Sequence, residues 1–211
     1  MAVNQKLKNG EAKMERYYLY GVINQEIERP DMEKAAILRD FSVSQLAKIT
    51  EGKGLLDSSI HALSRGTKLF GPACTAFGRQ GDTLMLQRIG DVAKPGDVIV
   101  ADAAGSTSLS VIGERIGYYM YKIRKCAGII IDGAFRDTAG LVDLGVPFFG
   151  RGADPKLFGA IGPGAINVTI SCGGVVIHPG DLMIGDDDGI IAIPRLIIDD
   201  IVQEVEEYKW I

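Results

Sequence analysis

From Thr67 onward the chain is a succession of short apolar runs, each closed by Gly, Pro or Asp: "TKLFGPACTAF", "TLMLQRI", "GDVIVADAAG", "AGIIIDGAF", "VPFFGRG", "INVTI", "GGVVIHPGD", "DLMIGDDDG" and "GIIAIP". Short runs rich in β-branched side chains read as strands, because such side chains pack on a pleated surface while the punctuating residues turn the chain. With 27 glycines, turns are plentiful. Two segments of helical period interrupt the series, "VIGERIGYYMYKIRKC" (111–126) and "PRLIIDDIVQEVEEYKWI" (194–211). A third, "PDMEKAAILRDFSVSQLAKI" from Pro30, breaks at Ser42-Val43-Ser44, where serine can cap a second helix. The implied class is α/β, strand-rich in the middle with helices at both ends. The polar, weakly patterned residues 1–30 read as an N-terminal arm ahead of a single domain, 31–211.

One echo stands out within the strand series. "PGDVIVADAAG" (95–105) and "PGDLMIGDDDG" (179–189) share Pro-Gly-Asp, four strand-like residues, an Asp and a Gly. A duplicated turn feeding a short strand accounts for both without any chemistry.

The bulk properties exclude several functions. A net charge of -4 and no lysine- or arginine-rich tract give no field for nucleic acid phosphates, so no nucleic acid partner is expected. The start has no apolar core of signal-peptide length and no stretch suits a membrane span, so a soluble, cytoplasmic protein is expected. Cys74, Cys126 and Cys172 lie far apart among small or apolar residues and suggest neither disulfides nor a zinc motif.

Candidate chemistry gathers where "GIIIDGAFRD" ends. Arg136 and Asp137 stand side by side just past an apolar strand. Arginine's planar fork suits a carboxylate and aspartate suits a hard divalent ion, so the two could hold one ligand from two directions. An unremarkable surface ion pair is the competing account. Upstream, Gly113-Glu114 opens a helix whose first N–H groups lack partners inside it, so the backbones of Gly113, Glu114, Arg115 and Ile116 could receive a small carboxylate. Glu114 could steer a metal-bound water or act as a base, or merely favour the helix dipole. "GDDDG" (185–189) lacks the spacing of a calcium loop and reads as a solvated turn. Neither His61 nor His178 has the serine elbow of a triad, and no phosphate-binding glycine loop occurs.

Taken in order, "GPACTAF", "KPGDVIVAD", "GERI", "AGIIIDGAFRDTAGLVDLGVPFFGRG" and "GGVVIHPGDLMIGDDDGIIAIP" resemble the 4-hydroxy-4-methyl-2-oxoglutarate aldolases and their relatives called regulator of ribonuclease E activity A. The resemblance spans roughly residues 35–200 and is most specific at "IDGAFRD". It implies an α-β-β-α sandwich of the swivelling phosphohistidine-domain type, assembled as a homotrimer or dimer of trimers with sites at subunit contacts. It also implies a metal-dependent lyase that cleaves 4-hydroxy-2-oxo acids to pyruvate and decarboxylates oxaloacetate. Arg136 would bind the 2-oxo acid, Asp137 would ligate Mg²⁺ or Mn²⁺, and the backbone of Gly113 to Ile116 would receive the pyruvate carboxylate. Glu114 would position water on the metal. A neighbouring subunit's C-terminal acid, for which Glu206 and Glu207 are candidates, would complete the site. The alternative within the same resemblance is a non-catalytic regulatory protein that binds ribonuclease E; such relatives commonly lose the aspartate that this chain keeps as Asp137. The chain carries one residue more between Glu114 and Arg136 than the family usually does, as if "YMYKIRKCAG" held an insertion.

Overall fold

The computed structural model describes residues 21–208. Residues 1–20 of the expected arm lie outside the described residues; the rest of it is seated on the body. Strand β1 (Val22–Ile23) pairs in parallel with β7 (Gly164–Ile166), and Arg29 reaches the buried Asp97 through two hydrogen bonds of 2.8 and 2.7 Å.

Four parallel strands form the centre: β3 (Leu69–Gly78), β4 (Val98–Ser106), β5 (Gly128–Phe135) and β6 (Phe148–Ala153). Around them the nine-stranded sheet runs β1-β7-β3-β4-β5-β6-β2, with β2 at His61–Ala62. Every residue of β5 is buried, as expected of a central parallel strand covered on both faces. Its alternation divides the core: Ile129 and Ile131 face one apolar cluster, Ile130 the other. Strand β3 is shared. Its first residues pair antiparallel with β10 (Leu182–Asp186), which continues into β11 (Gly189–Ile193), and its last residues pair antiparallel with β7.

Helices flank this sheet. On one side are α3 (Leu84–Arg88), α4 (Glu114–Tyr118) and α5 (Thr138–Leu144). On β10–β11 lie α1 (Met32–Ala35), α2 (Val43–Ile49) and α6 (Ile198–Glu207), whose Leu38-, Leu46- and Ile201-centred cluster is a separate core. The hairpin β8 (Ile170–Cys172)–β9 (Val175–Ile177) covers the remaining face. The break read at Ser42 is real: Ser42 and Gln45 form a reciprocal capping box at the start of α2.

Two of the expected strands are corrected. "TLMLQRI" is not a strand but α3 followed by a tight turn, Ile89–Asp91. The Asp82 carboxylate accepts the Leu84 N–H at 2.8 Å, and Leu, Met, Gln and Arg are strong helix formers, so local capping and propensity outweigh the short apolar run. "INVTI" is divided between β7 and β8 by Asn167, whose φ of 55° turns the chain and whose side chain bonds Asn24 reciprocally.

The Pro-Gly-Asp echo is a repeated turn. Asp97 accepts the N–H of Lys94 and Asp181 that of His178, both at 2.8 Å, and each Asp backbone carbonyl receives an N–H from a neighbouring segment, Ala127 just ahead of β5 and Ala73 within β3. "GDDDG" is committed to structure as well. Asp186 caps Val43, Asp187 takes the Gly66 N–H on both oxygens and Asp188 accepts from Ser44. The three cysteines are free and buried, and burial raises the Cys126 thiol to about 12.

Midway along β4 and β5, Asp102 and Asp132 are direct neighbours in register. Arg151 pairs with Asp132, whose other oxygen takes the Gly173 N–H at 2.6 Å and so ties the β8–β9 turn to the sheet. Asp102 has no such cation among the described residues, and burial, followed by the charge of Asp132, raises its carboxyl above the ordinary Asp range despite a bond from the Ala104 N–H. The native state thus holds that proton more tightly than the unfolded chain, so stability falls as pH rises from the ordinary Asp range through the native value. Asp102→Asn is expected to be more stable than the wild type above that window and to lose the extra pH dependence within it. Thermal denaturation across pH 3–8 checks this, and parallel curves for the two proteins would contradict it.

Candidate functional site

The site begins where β5 ends. The strand continues one step beyond its own ladder by pairing with the segment ahead of α4: the Val111 N–H meets the Ala134 carbonyl at 3.1 Å, and the Arg136 N–H meets the Ile112 carbonyl at 2.9 Å. This clip sets the start of α4 beside Arg136 and Asp137. The two helices then approach through glycine. A methyl group on Gly113 would stand 2.3 Å from Asp137 Oδ2 and 3.0 Å from Arg136 Nε, and one on Gly117 would stand 2.7 Å from Leu141. On Gly140 it would stand 2.3 Å from Glu114 Oε2, so the Glu114 carboxylate lies over the first turns of α5.

Asp137 is the unusual residue. It occupies the capping position of α5 with φ 57° and ψ 43°, a left-handed conformation that costs a non-glycine residue roughly 1 kcal/mol. An aspartate at this position ordinarily accepts an N–H from its own helix. Here the side chain makes no such bond and instead meets the first N–H of the neighbouring helix, Glu114 N, at 3.3 Å. Its other oxygen, Oδ1, has no hydrogen-bond partner among the described residues.

Arg136 Nε lies 3.4 Å from Asp137 Oδ2, with the two side chains 31% and 46% exposed. A partly solvated pair of that length contributes at most about 1 kcal/mol. The terminal amino groups of Arg136 are unpartnered among the described residues. Arg136 lines a cleft of about 260 Å³, with Gly113, Arg115 and Ile116 beside it and Thr83, Gln87 and the 157–160 segment opposite. Asp137 does not itself line the cleft; it joins it through Arg136 and the α4 backbone. Larger hollows lie by α1 and α2, around Arg39 and Phe70 and around Ile49 and Val176, away from these strand ends.

Of the residues singled out in the sequence, the structure therefore brings together Gly113, Glu114, Arg115, Ile116, Arg136 and Asp137. Glu206 and Glu207 end α6, which packs on the β10–β11 core. Thr83 and Gln87 escaped sequence reasoning because their segment reads as a strand; the signal was two polar residues four apart after an Asp, which is the helical spacing. The segment in which an extra residue is expected, between Glu114 and Arg136, departs from regular α-helix. Beyond α4 the helix widens into a π turn, Tyr119–Ile123, with the Arg124 N–H bonded five residues back to the Tyr119 carbonyl at 2.9 Å. A turn of that kind takes up one residue more than an α turn.

A divalent ion suits this site only in an open form. Among the described residues no three His, Cys, Asp or Glu side chains assemble into a cage. A half-exposed carboxylate with an unpartnered oxygen, next to the Glu114 carboxylate's seat, fits a hard ion that keeps much of its shell in water and ligand oxygens.

The chain is similar to known proteins of one family. Residues 35–192 match the RraA-like family profile, described as Aldolase/RraA. A Halalkalibacterium halodurans protein provisionally named 4-hydroxy-4-methyl-2-oxoglutarate aldolase is 36% identical over 169 residues, 80% of each chain. The solved structure of Streptomyces coelicolor RraAS2, described as an unusual member of the RNase ES inhibitor RraA family, is 31% identical; the match covers 86% of this chain and 94% of that one at a TM-score of 0.76. The RNA-processing inhibitor RraA of a Thermus species shares the fold at 21% identity and a TM-score of 0.67, over 74% of this chain and 93% of that one.

If the left-handed backbone at Asp137 is held by the fold, replacements there will separate by conformation. Asp137→Gly is expected to be as stable as the wild type, and Asp137→Ala less stable than Asp137→Gly by about 1 kcal/mol. Urea denaturation measures both, and equal stability of the two variants would contradict the assignment.

Proposed function

The chain belongs to the RraA-like family, Aldolase/RraA, and within it we propose that this protein is a divalent-metal-dependent lyase that cleaves 4-hydroxy-2-oxo acids to pyruvate and also decarboxylates oxaloacetate. The observation that carries this reading is the diversion of Asp137 from its own helix toward the start of α4, beside an arginine whose terminal amino groups are free. Such an arrangement sacrifices a helix cap and adopts a strained backbone, and costs of that kind concentrate at functional sites.

In this reading the substrate carboxylate lies against the first N–H groups of α4, from Gly113 to Ile116, which lack helical partners and carry the positive end of the dipole; the Glu114 N–H, bonded to Asp137 in the free protein, turns to the substrate. Arg136 donates to the C2 oxygen and the carboxylate, holding the C3–C4 bond in a fixed orientation. Asp137 would hold Mg²⁺ or Mn²⁺, which supplies a Lewis acid to the 2-oxo group. When the C3–C4 bond breaks, its electron pair passes into the C2–C3 bond and the C2 oxygen, and Arg136 stabilises the negative charge that builds there. Glu114, laid over Gly140, takes the C4 hydroxyl proton directly or through a water, so that C4 leaves as a carbonyl. A proton added at C3 then completes pyruvate. Oxaloacetate follows the same course, with CO₂ leaving from C4. No lysine Schiff base is involved.

The same reading takes the layered helices and sheets as an α-β-β-α sandwich and the working form as a homotrimer or dimer of trimers, with an acid from a neighbour completing the site. The second reading, a non-catalytic regulator that binds ribonuclease E, is favoured by the likeness to RraAS2. Retention of Asp137 next to Arg136 favours the lyase.

Incubation with oxaloacetate and Mg²⁺ is expected to release pyruvate. EDTA is expected to abolish that release, and Arg136→Ala and Asp137→Ala each to lower it by a factor of about a hundred or more. A rate indifferent to EDTA and to both substitutions would contradict the lyase, and stoichiometric binding of ribonuclease E without pyruvate release would favour the regulator.

A further inference from the structure

The wall of the cleft opposite Arg136 is built by α3, and its polar groups have a fixed direction. Thr83 is anchored to the 157–160 segment: its N–H meets the Gly159 carbonyl at 2.8 Å and its hydroxyl donates to the same oxygen at 3.0 Å. A carbonyl can only accept, so the hydroxyl hydrogen is committed to it. The Thr83 oxygen must then accept, and it does, from Gln87 Nε2 at 2.8 Å. This chain orients the Gln87 amide: nitrogen toward Thr83, carbonyl oxygen away from it and unpartnered among the described residues. Asp82, buried beneath, keeps the platform rigid by accepting the N–H groups of Leu84, Ile161 and Gly162 at 2.8, 2.9 and 2.8 Å. The exposed Arg115 shares the cleft.

We propose that Gln87, its polarity set by Thr83, is the specificity-determining residue of the cleft. Its Oε1 accepts a hydrogen bond from the C4 hydroxyl of a bound 4-hydroxy-2-oxo acid, while Arg115 faces any carboxylate on the same carbon. The inference rests on the lyase reading above and carries it further, since it ranks hydroxylated aldol substrates above oxaloacetate, which has no hydroxyl at C4. An outward carbonyl oxygen attracts a hydroxyl and repels a carboxylate. The contact belongs to the bound substrate and not to the transition state, because the hydroxyl's single hydrogen must turn from Gln87 to Glu114 or its water before the C3–C4 bond breaks. Losing it therefore weakens binding without slowing the chemical step.

The experiment measures pyruvate release from 4-hydroxy-4-methyl-2-oxoglutarate and from oxaloacetate for the wild type, Gln87→Met and Thr83→Val. Gln87→Met is expected to raise KM for the hydroxylated substrate about tenfold with no fall in kcat, and to lower its selectivity over oxaloacetate by about the same factor. Thr83→Val, which frees the amide to turn, is expected to act in the same direction. Equal losses on both substrates, or a fall in kcat with KM intact, would overturn the role of Gln87 while leaving the lyase standing. Release from neither substrate by the wild type would overturn the lyase itself.

Discussion

The arrangement depends on one junction, the pairing of the last residues of β5 with the segment that leads into α4. Two backbone bonds, Val111 to Ala134 and Arg136 to Ile112, carry the register of a buried central strand into the start of a helix. The strand itself has no freedom, since all of its residues are packed on both faces. The positions of Arg136 and Asp137 relative to the α4 amides are therefore inherited from the core and not from a surface loop. Gly113 completes the junction: its backbone is extended, φ -148°, so it is required for space and not for conformation, leaving room for the Asp137 carboxylate where any side chain would stand.

Much of this was legible in the sequence. The glycine-bounded apolar runs mark β3 to β6, β10 and β11, because a strand buried on both faces needs an unbroken apolar run and a turn at each end. The joining of Arg136 to the helix that opens at Gly113 came through the family resemblance, most specific at "IDGAFRD"; the run of isoleucines ending in charges alone left a trivial ion pair as the competing account. The conformation of Asp137 was not legible, since a left-handed residue between a strand and a helix leaves no mark beyond tolerance for Asp. Nor was α3. Its apolar residues Leu84, Met85 and Leu86 are contiguous, so only the capping by Asp82 and the spacing of Thr83 and Gln87 separate it from a strand. That misreading hid one whole wall of the cleft. The helix after Glu114 is not uniform either: it passes into a π turn at Tyr119–Ile123, in the segment where one residue more than usual is expected.

Elsewhere the charges are used for structure. Asp97, Asp132, Asp181 and Asp186 each accept backbone N–H groups that hold turns or helix starts in place. Against that background Asp137 is distinctive: a half-exposed carboxylate with one oxygen unpartnered among the described residues, in a conformation that the fold must maintain. The contrast supports reading the pair as a site, where sequence alone permitted a trivial ion pair.

The most direct measurement is a crystal structure of the protein with Mn²⁺ and pyruvate. The account predicts an anomalous manganese peak on Asp137, with the pyruvate carboxylate at the backbone of Gly113 to Ile116 and its keto oxygen within hydrogen-bond reach of Arg136. Pyruvate or manganese bound elsewhere, with the start of α4 and the guanidinium of Arg136 both unliganded, would contradict it.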